Sequence, residues 1–192
     1  MKNKQLILKI SSVILIIVAL ILMWVIKKNT DKINEQRYNQ IFKASEQEIP
    51  EHLKDVDFSF EITAPVDFKM YSTYNLPLIV DFGADWCGPC QQMKPGYKNV
   101  HAKMQGKAFI KYIDTEKSPY AVGDVPVSVI PTQAFFNSDG TPFIPSDELS
   151  SRLDFSMYSK RDTGEHIYTI HQGILSEAEL YMILEEMGVD TK

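Results

Sequence analysis

The sequence predicts a single α/β sandwich carried behind one N-terminal membrane-spanning helix. Three observations predict it. Residues 10–26 are apolar and carry no charge; beyond them, short apolar or alternating runs interchange with helical patterns; and the chain closes on a capped amphipathic helix. The composition agrees. Of 192 residues, 44% are hydrophobic and 23% charged, which excludes collagen-like, low-complexity and wholly disordered chains. Two cysteines are too few for a disulfide-stapled scaffold or a four-thiolate zinc site. The net charge of −5 hides an asymmetry: Lys2, Lys4, Lys9, Lys27 and Lys28 stand without an acid in residues 1–30, leaving −10 on the remainder. An acidic body without a basic, aromatic-interleaved patch excludes a nucleic-acid footprint.

Residues 10–26 read ISSVILIIVALILMWVI, and extending across Lys9 to Leu6 gives 21 residues. At about 1.5 Å per residue these cross a hydrocarbon core of about 30 Å, with Lys9 placed to snorkel toward the headgroups. A cleaved secretory signal competes, but its apolar region runs to about 7–15 residues before a small-x-small site. Met23, Trp24, Val25, Ile26, Lys27 and Lys28 offer no such site, and Trp24 suits the interface. The span is therefore read as an uncleaved anchor over residues 1–28. Lys2, Lys4, Lys9 and the α-amine precede it and favour a cytoplasmic N-terminus, placing the acidic body outside the cytoplasm; the reverse topology is the alternative. Residues 29–55 read as a polar helical linker whose stripe of Tyr38, Ile41, Phe42 and Ser45 rests on the domain. The domain proper is expected at 56–192.

Within it, 58–63 alternates and predicts a strand, and 65–75 a short helix. The apolar run 76–82 predicts a strand buried on both faces. A helix is expected over 88–105, stopped by Gly106, and a buried strand over 108–113. Residues 132–136 form a strand that turns at 137–140, and the alternating 166–171 pairs with it. In the last helix Ser176 and Glu179 make a capping box, Leu180, Ile183, Leu184 and Met187 one apolar face, and Gly188 the stop.

The chemistry concentrates in Cys87-Gly88-Pro89-Cys90. Thiols three positions apart lie within one helical turn and can close a ring. The first sits at the helix start, where free N–H groups and the dipole stabilise a thiolate, so Cys87 is expected to be the exposed nucleophile. Cys90, shielded in the first turn, is the resolving thiol. Pro89 fits because its missing N–H would have had no helical partner. A static disulfide competes, although so short a loop gains little from closure. So does half of a metal site completed by some of His52, His101, His166 and His171, whose positions lack finger-type spacing.

The surrounding segment, Val80-Asp81-Phe82-Gly83-Ala84-Asp85-Trp86-Cys87-Gly88-Pro89-Cys90, closely resembles the thioredoxin family. Asp81 matches the buried aspartate six residues before the first cysteine, Trp86 the tryptophan directly before it, and Pro95 the proline five residues after the second. Ile130-Pro131-Thr132 looks like the cis-proline loop that faces the disulfide, and Gly173 like the glycine flanking the substrate groove. The resemblance spans about residues 58–188. It implies a three-layer sandwich, a central mixed sheet with helices on both faces, and dithiol–disulfide exchange with protein disulfides. No organic cofactor or metal is implied, since the Cys87–Cys90 pair carries both electrons.

The resemblance also implies roles. Asp81, its pKa raised by burial, takes the Cys90 proton through water. Trp86, Gly88 and Pro89 shape the thiol surface, and the backbone of Ile130, before Pro131, pairs with an extended substrate beside Gly173. Pro95 kinks the helix. The Gly-Pro dipeptide resembles that of reducing thioredoxins, so the expectation is a membrane-tethered, extracytoplasmic reductase. A membrane thiol-reductant transporter of the cytochrome c biogenesis type would re-reduce it, and apocytochromes, sulfoxide-repair enzymes or mispaired disulfides would be its substrates. A disulfide oxidase or isomerase, and a non-catalytic binding module, are the alternatives.

Three departures stand out. Gly83 replaces a frequent second tryptophan, predicting a less bulky surface near the thiols. The lysine often found near the buried aspartate is out of register, with Ile110 at its place and Lys111 one position on. Residues 141–165 expand the turn between the last two strands; Phe143, Phe155 and Tyr158 predict that this insertion folds back onto the domain, either to recognise partners or as a decorative loop.

Overall fold

The computed structural model describes residues 2–192; the side chains of residues 2–9 and of Ser12 are outside the description, and with them the snorkelling of Lys9. The chain divides into two units, Met1–Gln40 and Ile41–Lys192.

The described residues of the first unit are helical. Helix α1 spans Lys2–Glu46 and does not stop at the end of the apolar run. No glycine or proline occurs between Lys27 and Glu46, and the helix ends just ahead of Pro50. Its Val13–Glu46 portion is long and apolar enough to cross a membrane, with a mean hydropathy of 2.1 over its most apolar window and none of that window buried.

The second unit holds α2 (Phe68–Ser72), β1 (Leu78–Gly83), α3 (Gly88–Lys103), β2 (Phe109–Asp114), β3 (Thr132–Phe136), α4 (Asp147–Ser150), β4 (Ser156–Ser159), β5 (His166–Gln172) and α5 (Glu177–Glu186). The sheet order is β2-β1-β3-β5-β4. β1 and β2 are parallel and the other pairs antiparallel. Long α3 supplies the crossover that a parallel pair requires. One sheet face packs Ile79, Ile110 and Phe135 against Tyr97 and Val100 of α3 and Leu180, Ile183 and Leu184 of α5. The other packs Val80, Phe82, Phe109 and Phe136 against Leu53, Phe58 and Tyr71. The result is an α/β sandwich with a mixed central sheet.

Local signals place most ends. Asp67 caps α2 by accepting from the Met70 N–H at 3.0 Å. Ser176 and Glu179 form the reciprocal box at the start of α5, with Gly188 at φ 85° beyond its end. α3 stops at Lys103, with Gly106 at φ 73° three residues on.

Two expectations need correction. Residues 58–63 form no strand; Glu61 alone bridges Tyr112. Pairing with β2 stops at Tyr112, whose N–H donates to the Phe60 carbonyl (2.8 Å) and whose carbonyl accepts from the Ile62 N–H (2.9 Å): the Phe58 carbonyl, next in line, bonds the His101 ring (2.7 Å) instead, while Lys111 Nζ holds the outward carbonyls of Asp57 (2.9 Å) and Ser59 (2.7 Å). The alternation also misleads, because Phe58 and Phe60 pack on opposite faces of the sheet. In the insertion, Phe143 is buried and Phe155 packs against Phe135 and Phe143, but Tyr158 is exposed. Tyr158 lies on β4, an edge strand exposed along its whole length, which leaves no partner layer to cover it.

Candidate active site

The site forms where β1 ends and α3 begins. Cys87 is the N-cap of α3: its backbone is extended (φ −74°, ψ 110°) and its Sγ accepts the Cys90 N–H at 3.2 Å. That sulfur therefore takes the place of the usual capping oxygen among the unpaired N–H groups of the first turn. Pro89 lies in that turn and Pro95 inside the helix. Cys87 and Cys90 are joined by a disulfide, Cα–Cα 5.2 Å.

The expectation of an exposed Cys87 needs correction. In the disulfide form Cys87 and Cys90 are each only 3% exposed, whereas Trp86 is 65% exposed. Cys87 packs with Ala84, Cys90 and Ile130, and its Sγ lies 3.7 Å from the Ile130 carbonyl oxygen. The Ile130–Pro131 peptide is cis. Gly173, at φ 125°, donates its N–H to the Pro131 carbonyl at 2.9 Å, so the start of β3 and the end of β5 meet beside the sulfurs. A cavity of about 500 Å³ opens here, lined by Trp86, Cys87, Pro89, Val127, Val129 and Ile130 among others.

Side chains of α3 run antiparallel to those of β1 beneath them. A Cβ built on Gly83 would stand 3.4 Å from the Cys90 Cβ, Met93 meets the Asp81 partner Gln133, and the Tyr97 hydroxyl donates to the Ile79 carbonyl at 3.2 Å. Asp81 is therefore the next side chain inward from Cys90 on the covered face. It is 2% exposed. Burial raises its pKa to about 7, against the opposing pull of the Gln133 hydrogen bond and of Lys94.

Three residues of this neighbourhood escaped the sequence reading. Gln133, opposite Asp81 in the β1–β3 register, donates Nε2 to Asp81 Oδ1 at 2.8 Å; only the cross-strand register reveals it. Lys94 supplies the positive charge, lying 3.7 Å from Asp85 and 4.3 Å above the Tyr112 ring. Lys111 faces the opposite side of the sheet, across from Val80. Tyr112, itself buried, packs against Gly83. A Cβ on Gly83 would meet the Tyr112 ring at 3.0 Å, so the phenol of β2 fills that room.

The histidines do not converge with the cysteines. His101 bonds the Phe58 carbonyl, His166 that of Tyr168 and His171 that of Asp154. Among the described residues no group of three or more His, Cys, Asp or Glu is placed to hold a metal ion.

Known thioredoxins resemble this chain in sequence. The thioredoxin family model matches residues 60–152. The thioredoxins of Staphylococcus aureus strains Mu50 and N315 are 37% identical to the chain over 97 residues, covering 47% of this chain and 89% of theirs. Among solved structures, the Fasciola hepatica thioredoxin aligns at 18% identity and TM-score 0.46 over 67% of this chain and 99% of its own. Spinach chloroplast thioredoxin f aligns at 14% identity and TM-score 0.46, over 67% and 92%. With its cysteine pair closed at the head of α3 and relatives matched over nine-tenths of their length, the chain belongs to the thioredoxin family and is a thiol–disulfide oxidoreductase.

Proposed function

We propose that this chain is a membrane-tethered reductase of protein disulfides, held by residues 1–28 with its domain, residues 56–192, outside the cytoplasm. The observation that carries the chemistry is the Cys87 sulfur capping α3, where the Cys90 N–H and the helix dipole favour a thiolate. In the reduced protein this thiolate attacks one sulfur of a substrate disulfide. One substrate thiolate leaves and a mixed disulfide forms on Cys87. Asp81 accepts the Cys90 proton, and the Cys90 thiolate then attacks the Cys87 sulfur. The second substrate thiolate departs, the Cys87–Cys90 bond closes, and the substrate has gained the two electrons that the pair has lost. Proton uptake by the released thiolates completes the balance.

Trp86, Gly88, Pro89, Ile130, Pro131 and Gly173 frame the substrate groove. The Ile130 carbonyl beside the Cys87 sulfur suits strand-like pairing with an extended segment. The Gly88-Pro89 dipeptide supports the reducing direction. A reductant outside the cytoplasm needs electrons carried across the bilayer, and a membrane thiol-reductant transporter of the cytochrome c biogenesis type fits that need. Thioredoxins use no cofactor besides the redox-active disulfide.

The full chain carrying Cys90→Ala tests the reading. It should accumulate mixed disulfides through Cys87, identifiable after thiol blocking; a protein that traps nothing covalent is a binder, not a catalyst. Equilibration in glutathione buffers tests the direction, and a potential near the strong-oxidant value of about −120 mV would reverse it. A membrane-impermeant thiol reagent on intact cells should label reduced Cys87 if the domain faces outward.

A further inference from the structure

Gln133 occupies a position that stability alone would not give to an amide. It is wholly buried at the centre of the sheet. Its Nε2 donates to Asp81 Oδ1 at 2.8 Å and lies 3.3 Å from the Gly173 carbonyl and 3.6 Å from the Met93 sulfur. Its Oε1 is buried with no hydrogen-bond partner among the described residues. An unpaired buried carbonyl destabilises a fold, and an apolar side chain of similar volume would remove that cost. What leucine would not supply is an N–H aimed at the Asp81 carboxyl. Such a donor favours the charged carboxylate against the effect of burial. Contacts to Gly173 and Met93 fix the direction from which it acts.

We propose that Gln133 is a positioning residue for the proton transfer: its amide orients the Asp81 carboxyl and keeps the carboxylate accessible, so that Asp81 can receive the Cys90 proton. This rests on the reading of Asp81 as proton acceptor. The titratable groups around Asp81 come from the neighbouring helix and strands, and α5 adds only apolar side chains to this face. α3 presents Cys90, Lys94 and Tyr97, and β2 presents Tyr112, directly opposite in register; His171 of β5 follows beyond Gln133 in the same row, its ring on the Asp154 carbonyl. Lys94 acts in the same sense as Gln133. Tyr97 and Tyr112 are held neutral by burial.

The test uses the reduced full chain in detergent with an equimolar aromatic disulfide, dithiobisnitrobenzoate. Attack by Cys87 releases one thionitrobenzoate, and resolution by Cys90 releases the second in a concentration-independent phase. In the wild type this second phase should rise with pH through about 7. In Gln133→Leu the rise should move up by about one pH unit, slowing the phase about fivefold at pH 7 with recovery by pH 9. Gln133→Met removes the same donor if the branched side chain does not fit. A limb unmoved in the Gln133 variants but abolished in Asp81→Asn overturns the role of Gln133 and leaves that of Asp81 standing. A uniform slowing at all pH with a lowered thermal midpoint also overturns it, because Gln133 would then only support the fold. A limb that persists in Asp81→Asn removes the reading of Asp81 and this proposal together.

Discussion

Asp81 and Lys111 are buried ionisable side chains on neighbouring strands, one register position apart and on opposite faces of the sheet. Both pay for burial in the same currency, a pKa moved toward the neutral form: up to about 7 for Asp81 and down to about 8 for Lys111. Their surroundings differ. Lys111 donates to two backbone carbonyls and crosses the rings of Tyr71 and Phe109, in a part of the core remote from the thiols. Asp81 has one side-chain donor, Gln133, and lies next inward from Cys90. A perturbed pKa therefore does not identify a working group; its place relative to the reacting sulfur does.

The largest contrast should come from replacing each in turn. Asp81→Asn should slow resolution by Cys90 by about 10²-fold, the usual scale of a lost general base, while Lys111→Met leaves that rate within about twofold. Stability should separate them by sign. The Asp81 pKa is raised on folding, so its stabilising share is present below about pH 4 and lost as pH climbs through about 7. Asp81→Asn should accordingly stabilise the oxidised protein at pH 8, by an amount of the order of 4 kcal/mol, in chemical denaturation. Lys111→Met should destabilise by about 1–3 kcal/mol above about pH 10.5, where the amine is neutral in both states and the carbonyls of Asp57 and Ser59 simply lose their donor. The Lys111 pKa is lowered on folding, so the native state gains stability as pH rises from about 8 toward 10.5, and the variant should lose that slope. The smallest effect is expected from Lys94→Gln. Removing this partly exposed cation should raise the Asp81 titration by a few tenths of a pH unit, measured by carboxyl NMR, and leave that of Lys111 unmoved.

Much of the site was legible along the chain. Cys87, Cys90, Trp86 and Pro89 lie in one stretch, and a thiol at a helix start carries its own electrostatic argument. Burial of Asp81 follows from its place in an apolar run. Gln133, Lys94 and Tyr112 were illegible because each acts through a neighbour distant in sequence. Gln133 is 52 residues from the carboxyl it holds, and Tyr112 fills the room over Gly83 from another strand. The strand expected at 58–63 failed for a related reason: alternation describes a ladder only when the backbone is free to pair, and His101 had taken the Phe58 carbonyl, the next one in line for β2.

By itself the sequence determined what short-range physics controls: an apolar helix of spanning length, the caps of α2 and α5, the buried run of β1 and two sulfurs one turn apart. Those features depend on residues a few positions from one another, and their spacing is printed in the chain. Only the tertiary structure decided that the disulfide lies beneath the surface, that the insertion becomes an edge strand, and which buried ion stands next to the thiols. These depend on strand register and crossover packing, which bring distant residues together by the closure of the core as a whole.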